Sequence, residues 1–153
     1  MSSSYNLFFV CTANICRSPI AQGLAPIIAQ QYGLRIHARS GGTLGIMDKP
    51  PAANSIKTLK KKNIDISHLR SSGITENDMD WCDYALVMTP KHAKTLRQRF
   101  PDKHDKILIL ANFGGSTEVS DPVGRWIFAF NSCRKHIEKC LHAFFKELAA
   151  RPS

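Results

Sequence analysis

The sequence lacks any apolar run long enough to cross a membrane. A spanning helix needs roughly 18 consecutive apolar residues, and the opening MSSSYNLFFV carries no basic residue ahead of its short apolar run. We therefore expect a cytoplasmic protein without a membrane span. With 43% hydrophobic residues among 153, one domain over residues 1–153 can bury a core of its own.

The sequence also lacks the cysteine spacing of a metal site or of a disulfide framework. It has five cysteines, which is an odd number, and no two of them form a CxxC pair. We expect reduced thiols and no bound metal. Three of the cysteines are predicted to be packing residues: Cys82, Cys133 and Cys140.

Acidic residues are scarce, because 12 Asp and Glu stand against 21 Lys and Arg, for a formal charge of +9. Such a balance favours anionic partners, which include phosphorylated substrates, nucleic acid and acidic membrane surfaces. The densest basic run, residues 60–62 with Lys57 nearby, is typical of a solvated helix face, with a docking patch as the alternative. The lysines lack interleaved aromatic residues, so no specific nucleic-acid binding is predicted.

Apolar patterning predicts strands that alternate with helices. The predicted strands are 5–10, 35–40, 83–88 and 107–110, and the predicted helices are 19–32, 52–62, 91–100 and a long one from 125 onward. This order favours a single-domain three-layer α/β sandwich, with a four-stranded parallel sheet and helices on both faces. Function is then expected at the carboxyl ends of the strands.

The segment CTANICRSP, residues 11–19, directly follows the first predicted strand. Its five residues between Cys11 and Arg17 can curl so that backbone amides surround an anion, beside the positive end of the next helix. Ser18 and Pro19 both suit the start of that helix. The segment therefore predicts a phosphate loop after the first strand.

A thiol and a guanidinium on such a loop suit phosphoryl transfer. Inward amides, a helix amino terminus and Arg17 would favour the thiolate of Cys11, which is the nucleophilic form. Arg17 offers two parallel donors to phosphoryl oxygens. The alternative to a catalytic pair is that Cys11 is a buried cysteine at the end of the strand and Arg17 is a cation on the surface. Cys16 either packs in the core or forms a reversible disulfide with Cys11.

Cleavage of a phosphate ester needs a proton for the departing oxygen. Asp121 precedes Pro122 in the sequence DPVG, which places a carboxylate on a stiffened loop. Asp121 is therefore the leading candidate for the general acid, although Asp-Pro turns are also common structural features.

These motifs together resemble the low-molecular-weight protein tyrosine phosphatase family. LFFVCTANICRSPIAQG is similar to its signature strand, loop and helix, and SGGT, ITEND, DYALVM and DPVG follow in the family's order. The resemblance implies a phosphocysteine on Cys11 and a phosphotyrosine protein or small aryl phosphate as substrate. It implies inorganic phosphate as product and no cofactor. Asp121 would protonate the leaving phenol and then activate water.

The resemblance also implies supporting and substrate-binding roles. Ser18 would hydrogen-bond the thiolate, and Asn14, aided by Ser40, would hold the strained loop backbone. The residues expected to contact substrate are the loop and two pocket walls: Thr12, Ala13, Asn14, Ile15, Cys16, Arg17, Ser18, Leu44 and Val123.

Departures from the family pattern fall on the pocket walls and behind the loop. The family usually carries aromatic residues near Leu44 and just after the Asp-Pro pair, where this chain has Val123. The His and Arg common before the ITEND stretch align with Leu69 and Ser72. His68 lies one residue before the position of the family histidine and is expected to be exposed.

Two other functions remain open at this stage. A thioredoxin-coupled arsenate reductase has a similar fold and loop but needs thiols that pass oxidation onward. A phosphate-binding module without turnover is the second, and the presence of Cys11, Arg17 and Asp121 argues against it.

Overall fold

The computed structural model describes residues 3–151, which form four strands, six α-helices and one 3-10 helix. The strands are β1 (Ser3–Cys11), β2 (Leu34–Gly42), β3 (Tyr84–Val87) and β4 (Ile107–Ile109). The α-helices are α1 (Arg17–Gln30), α2 (Ala53–Lys60), α3 (Glu76–Trp81), α4 (Pro90–Arg99), α5 (Leu110–Phe113) and α6 (Ile127–Ala149). The 3-10 helix is Pro101–Lys106, between α4 and β4.

All four strands are parallel and lie in the order β2-β1-β3-β4. The register pairs Val10 of β1 with Gly41 of β2 and with Val87 of β3. The carboxyl ends of the strands therefore meet at one edge of the sheet, and the loop after β1 lies at the centre of that edge. The predicted parallel α/β sandwich is confirmed.

The two faces of β1 explain why helices cover both sides of the sheet. Leu7 and Phe9 belong to a buried cluster with α1, α2, α5 and α6. Phe8 and Val10 point to the opposite face, into a second cluster with α3 and α4. A strand buried on both faces reads as a continuous apolar run, as 7–10 does. Within residues 3–151, no helix is both long and apolar enough to cross a membrane.

Short helices were missed by the apolar periodicity because they are too short to display it. The ITEND stretch forms the start of α3, where Thr75 accepts a hydrogen bond from the Asp78 amide and the Asp78 carboxylate accepts one from the Thr75 amide. This reciprocal capping is a local polar signal. α5 and the 3-10 helix were also missed, and most predicted boundaries are off by one or two residues.

The segment after β2 lies against the predicted phosphate loop. The amides of Thr43 and Leu44 donate to the carbonyls of Cys11 and Thr12, each at 3.0 Å, and the Ala52 amide donates to Ile15 at 2.8 Å. A Cβ on Gly42 would lie 2.7 Å from the Thr12 carbonyl oxygen, so this approach requires glycine. The loop is therefore held from outside by main-chain bonds.

Candidate active site

The predicted phosphate loop lies at the carboxyl edge of the sheet, between the end of β1 and the start of α1. A cleft of about 190 Å³ opens there. The residues lining it come from the loop and from the Asp-Pro segment: Cys11, Thr12, Ala13, Ile15, Cys16, Arg17, Asp121 and Val123. Asn14 and Ser18 lie behind this surface and are buried. The fold thus brings Cys11, Arg17 and Asp121 together from positions 110 residues apart.

The amides of the loop are unpaired. The backbone N–H groups of residues 13–18 donate no hydrogen bond to any residue between 3 and 151. The next residue, Pro19, has no backbone N–H group. Consecutive free amides before a helix form a nest for an anion. The loop therefore has the donors that a phosphoryl group requires.

Asn14 holds the shape of the loop. Its φ of 62° is left-handed, which asparagine tolerates better than most residues. Its side-chain amide donates to Ser18 Oγ at 2.7 Å and to Ser40 Oγ at 2.8 Å, and its Oδ1 accepts from the Ser72 amide at 3.1 Å. Ser40 in turn donates to Gln22 Oε1 at 2.5 Å. Both amide hydrogens of Asn14 are thus used.

These bonds leave the Ser18 hydroxyl able to donate a hydrogen bond to Cys11. Ser18 Oγ lies 3.0 Å from Cys11 Sγ. Because Ser18 Oγ accepts from the Asn14 amide, its own proton is free to point at the sulfur. The Ser18 hydroxyl is therefore a hydrogen-bond donor within reach of the buried Cys11 sulfur.

Arg17 is 4% exposed and bridges the loop to the Asp-Pro segment. Nη1 donates to the Val119 carbonyl at 3.1 Å, Nη2 donates to Thr12 Oγ1 at 3.3 Å, and Nη2 lies 3.5 Å from Asp121 Oδ2. Its Nε is buried without a hydrogen-bond partner among the described residues. A buried unpaired donor is costly, so this Nε fits an oxyanion in the cleft.

His92, which the sequence analysis missed, supports the loop from α4. Its Nε2 lies 2.9 Å from Thr12 Oγ1, and its Nδ1 lies 3.1 Å from Thr89 Oγ1. Burial, together with the nearby charge of Arg17, lowers the pKa of His92 to about 4. The ring is therefore neutral at neutral pH, with one nitrogen as donor and the other as acceptor. The signal in the sequence that could have placed His92 in the first turn of a helix is Thr-Pro-Lys-His, residues 89–92, in which the threonine caps the helix.

The carboxylate of Asp121 stands at the mouth of the cleft. Its side chain is 40% exposed, and its Oδ1 accepts a hydrogen bond from the Val123 amide at 3.1 Å. Oδ2 is left to face Arg17 and the cleft. The Asp121 carboxyl group thus lines the same cleft as the Cys11 thiol and is open to solvent on one side.

The remaining cysteines are reduced and buried, as expected for the three packing residues. Burial raises the pKa of the Cys16 thiol to about 12, with the Asp121 charge as a further cause. Burial likewise raises the pKa of Cys133 to about 12 and that of Cys82 to about 11. These thiols are protonated at neutral pH.

The two predicted pocket walls differ in their placement. Val123 lines the cleft and is 54% exposed. Leu44 is 65% exposed and is absent from the cleft lining, although its amide bonds the loop. Behind the loop, the Ser72 backbone amide contacts Asn14, and His68 is exposed as expected.

Comparisons with known proteins identify the family of this chain. The family model for low molecular weight phosphotyrosine protein phosphatase matches residues 6–153. The chain is 32% identical over 145 residues to a protein-arginine-phosphatase of Bacillus subtilis, covering 94% of this chain and 96% of that protein. It is 30% identical over 119 residues to the low molecular weight protein-tyrosine-phosphatase PtpA of Staphylococcus epidermidis, covering 74% and 75%.

Solved structures give the same answer. The crystal structure of a low molecular weight protein tyrosine phosphatase from T. tengcongensis superposes with a TM-score of 0.88 at 28% identity, covering 94% of this chain and 99% of that one. Sequence and fold agree over almost the full length. The chain belongs to the low molecular weight protein tyrosine phosphatase family, and it is a hydrolase of that family.

Proposed function

We propose that this protein hydrolyses phosphotyrosine in proteins, and small aryl phosphates, through a phosphocysteine on Cys11. The observation that carries the proposal is the set of unpaired donors in the loop that follows Cys11. These donors are the backbone amides of residues 13–18 and the buried Nε of Arg17. They match the oxygens of a phosphoryl group that sits over the sulfur.

In the first step the Cys11 thiolate attacks phosphorus, and an S–P bond forms as the P–O bond to the phenol breaks. Asp121 gives its proton to the departing oxygen, which leaves as a neutral phenol. Ser18 steadies the sulfur at 3.0 Å. Arg17 and the loop amides bind the equatorial oxygens, where charge accumulates.

In the second step water attacks the phosphorus of the phosphocysteine. Asp121, now a carboxylate, takes a proton from that water, the S–P bond breaks and inorganic phosphate is released. The Cys11 thiolate is regenerated. Every proton in the cycle passes through Asp121, so no metal or cofactor is needed to balance the reaction.

The cleft lining favours an aryl group over a phosphoarginine side chain. The apolar side chains that line it are Ala13, Ile15 and Val123, and its one carboxylate is Asp121. A guanidinium has several N–H donors, and the cleft offers few acceptors for them. A phenyl ring has no donors and needs no acceptors. The similarity to an arginine phosphatase keeps phosphoarginine as the second candidate substrate.

Kinetics on two matched peptides would decide between the substrates. One peptide carries phosphotyrosine and the other phosphoarginine at the same position, and both are assayed with reductant and chelator. We expect phosphotyrosine to have the larger kcat/KM. A larger kcat/KM for the phosphoarginine peptide would mean that phosphoarginine, and not an aryl phosphate, is the substrate. Activity only on added metal would contradict the mechanism.

The nucleophile can be tested with Cys11→Ser, which should lose turnover without losing its fold. Serine at ordinary pH is rarely ionised, so the variant lacks the resting nucleophile. Acid quenching of wild type during turnover, followed by mass spectrometry, should locate a phosphoryl group on Cys11. Near-normal hydrolysis by Cys11→Ser would remove this assignment.

We also propose that oxidation joins Cys11 and Cys16 in a reversible disulfide. Both thiols are buried within one loop, and neither is oxidised in the structure. Peroxide would convert the Cys11 sulfur to a sulfenic acid, and the Cys16 thiol would displace water from it. Peptide mapping after mild peroxide should find this bond, and its absence would exclude the mechanism.

The burial of the cysteines bears on the partners of this protein. All five cysteines are buried, which argues against a thiol relay to a reductase partner. We propose a single cytoplasmic domain over residues 1–153 that acts without specific nucleic-acid binding. Light scattering would give its oligomeric state, which could not be predicted from the sequence.

A further inference from the structure

A second groove lies beside the cleft, between α2 and the segment that leads into α6. Its volume is about 340 Å³. Its lining is formed by two α2 residues and four consecutive residues after the Asp-Pro pair: Asn54, Lys57, Gly124, Arg125, Trp126 and Ile127. Val123 lines the cleft and Gly124 lines the groove, so the two depressions share one wall.

A short turn holds that wall in place. The Arg125 amide donates to the Pro122 carbonyl at 3.0 Å, and Gly124 has a φ of 74°. The turn requires this positive φ at its third residue, where glycine is the favoured residue. The groove wall is therefore connected to Asp121 through three residues of fixed geometry.

The groove carries positive charge that nothing in the described chain neutralises. Lys57 and Arg125 are exposed, and neither forms an ion pair with any residue between 3 and 151. The lining contains no carboxylate. The basic run 60–62 continues from the end of α2 and is also exposed. The charges that complement this surface are negative.

The groove also exposes an aromatic ring. The side chain of Trp126 is 77% exposed, and that of Phe128 is 66% exposed. Large exposed aromatics beside unpaired cations are typical of protein-binding surfaces, where Trp and Arg are enriched. Asn54 adds a side-chain amide to the groove lining, and this amide can bond a peptide main chain.

We propose that this groove binds an acidic segment of the phosphoprotein substrate, next to the phosphorylated residue. Carboxylates of that segment would pair with Lys57 and Arg125, while Trp126 packs on its main chain. The inference rests on the proposed function, because it names which phosphoproteins the same site selects. The cleft and the groove meet at Val123 and Gly124, and consecutive Cα atoms are about 3.8 Å apart, so we expect the first few residues beside the phosphoresidue to reach the groove.

The test compares phosphotyrosine peptides that differ only in their flanks. One peptide carries three Asp or Glu residues within three positions of the phosphotyrosine, a second carries Asn or Gln there, and a third carries Lys. Acidic flanks are placed on either side in separate peptides. We expect a kcat/KM about three- to tenfold higher for an acidic peptide than for its amide counterpart, the range of a few exposed ion pairs.

Charge reversal in the groove should invert this preference. Lys57→Glu and Arg125→Glu are each expected to remove most of it, and the double variant should prefer the Lys peptide. The matched control is Arg35→Glu with Lys146→Glu, which makes the same change in net charge. Arg35 lies near the amino end of β2, opposite the carboxyl edge that holds the cleft, and Lys146 lies in the last turn of α6. Both side chains are exposed.

A small aryl phosphate serves as the internal reference for every variant. Dividing the peptide kcat/KM by the value for p-nitrophenyl phosphate cancels changes in bond breaking. The preference should also shrink as salt rises from 20 to 500 mM, because exposed pairs are screened. Global unfolding curves for each variant confirm that the folded fraction is matched.

Two outcomes would overturn the inference. Equal ratios for acidic and amide peptides would mean that the groove does not read charge. Equal effects from the groove pair and the control pair would mean that net charge, not this surface, attracts the substrate. Absence of hydrolysis on every aryl phosphate would instead contradict the proposed function, so the two failures are distinguishable.

Discussion

The phosphate loop and the Asp-Pro segment share one cleft but are built in opposite ways. The loop side chains Cys11, Asn14, Arg17 and Ser18 are at most 4% exposed, and hydrogen bonds connect them to the sheet and to one another. Across the cleft, residues 123–126 are exposed. The hydrogen bonds found there close a turn and hold the Asp121 carboxylate.

This difference separates bond breaking from substrate choice. The buried loop fixes a thiol, a guanidinium and a set of amides whose positions the phosphoryl group requires, whatever it is attached to. The exposed segment meets the part of the substrate that varies. Arg17 joins the two regions, since it contacts Val119 and Asp121 from within the loop. Substitutions in the loop should therefore be far more damaging than those in the segment.

The largest expected effect comes from Arg17→Lys in the buried loop. A lysine ammonium cannot reproduce the contacts to the Val119 carbonyl, Thr12 and an equatorial oxygen at once. Loss of one preorganised donor costs on the order of 10²- to 10³-fold in kcat. Steady-state kinetics on p-nitrophenyl phosphate would measure it, with circular dichroism to confirm the fold. An unchanged rate would place Arg17 outside the reaction.

A smaller loss, dependent on the leaving group, is expected for Asp121→Ala on the exposed side. An aryl group that leaves as a stable anion needs little protonation, whereas a poor leaving group needs the proton. We expect a loss of about 10²-fold for phenyl phosphate and clearly less for nitrophenyl esters. A leaving-group series gives the slope of log kcat/KM, and parallel slopes for wild type and variant would count against Asp121 as the acid.

The same division decides how much of the molecule could be predicted from its sequence. Apolar runs predicted all four strands, because continuous burial leaves a clear pattern, and their alternation with helices predicted a parallel sheet. The role of Cys11 was predicted from the loop motif, which is local in sequence, and the roles of Asn14 and Ser18 were predicted from the family resemblance. The structure then placed Asn14 between Ser18 and Ser40, in agreement with the expected network.

Contacts between distant segments were not predictable in this way. His92 reaches Thr12 across 80 residues, and Gln22 reaches Ser40 through a side-chain bond that no periodicity encodes. Leu44 was expected as a pocket wall, but its side chain lies outside the cleft lining. Such details depend on how loops pack over the sheet edge.

His92 offers a test of how tightly the loop is held, through stability rather than rate. Its pKa is lowered to about 4 in the folded protein, whereas an unfolded histidine titrates near ~6.5. The unfolded chain therefore binds more protons between these values, and folding stability must fall as the pH is lowered through this window. At pH 5 the loss from this residue is about 2 kcal/mol relative to pH 8.

Urea unfolding at pH 5 and pH 8 would measure this loss in wild type and in His92→Gln. The variant lacks the titrating ring, so its stability should change less between the two pH values, even though it is less stable at pH 8. The charged groups that face His92 are Arg17, Asp121 and Lys91, and they are common to both proteins. Equal pH dependence in the two would mean that His92 is not held neutral.

The smallest effect is expected at Val123, on the exposed wall of the cleft. Val123 lines the cleft with an aliphatic side chain where the family usually has an aromatic ring. Val123→Tyr would add a ring that can stack on the substrate phenyl group. Aromatic pairs contribute about 0.5 to 1.5 kcal/mol beyond burial, which corresponds to a few-fold to tenfold change in binding.

That gain should appear in KM and not in kcat, because the added ring would bind the ground state and the transition state alike. Val123→Leu is the matched control, since it adds apolar volume without a ring. Kinetics on one phosphotyrosine peptide, with thiol content and folded fraction matched, would separate the two substitutions. If Val123→Tyr raised kcat instead, the exposed wall would take part in bond breaking, and the separation between a catalytic loop and a selecting segment would be wrong. If both variants matched wild type, another side chain would already supply the wall.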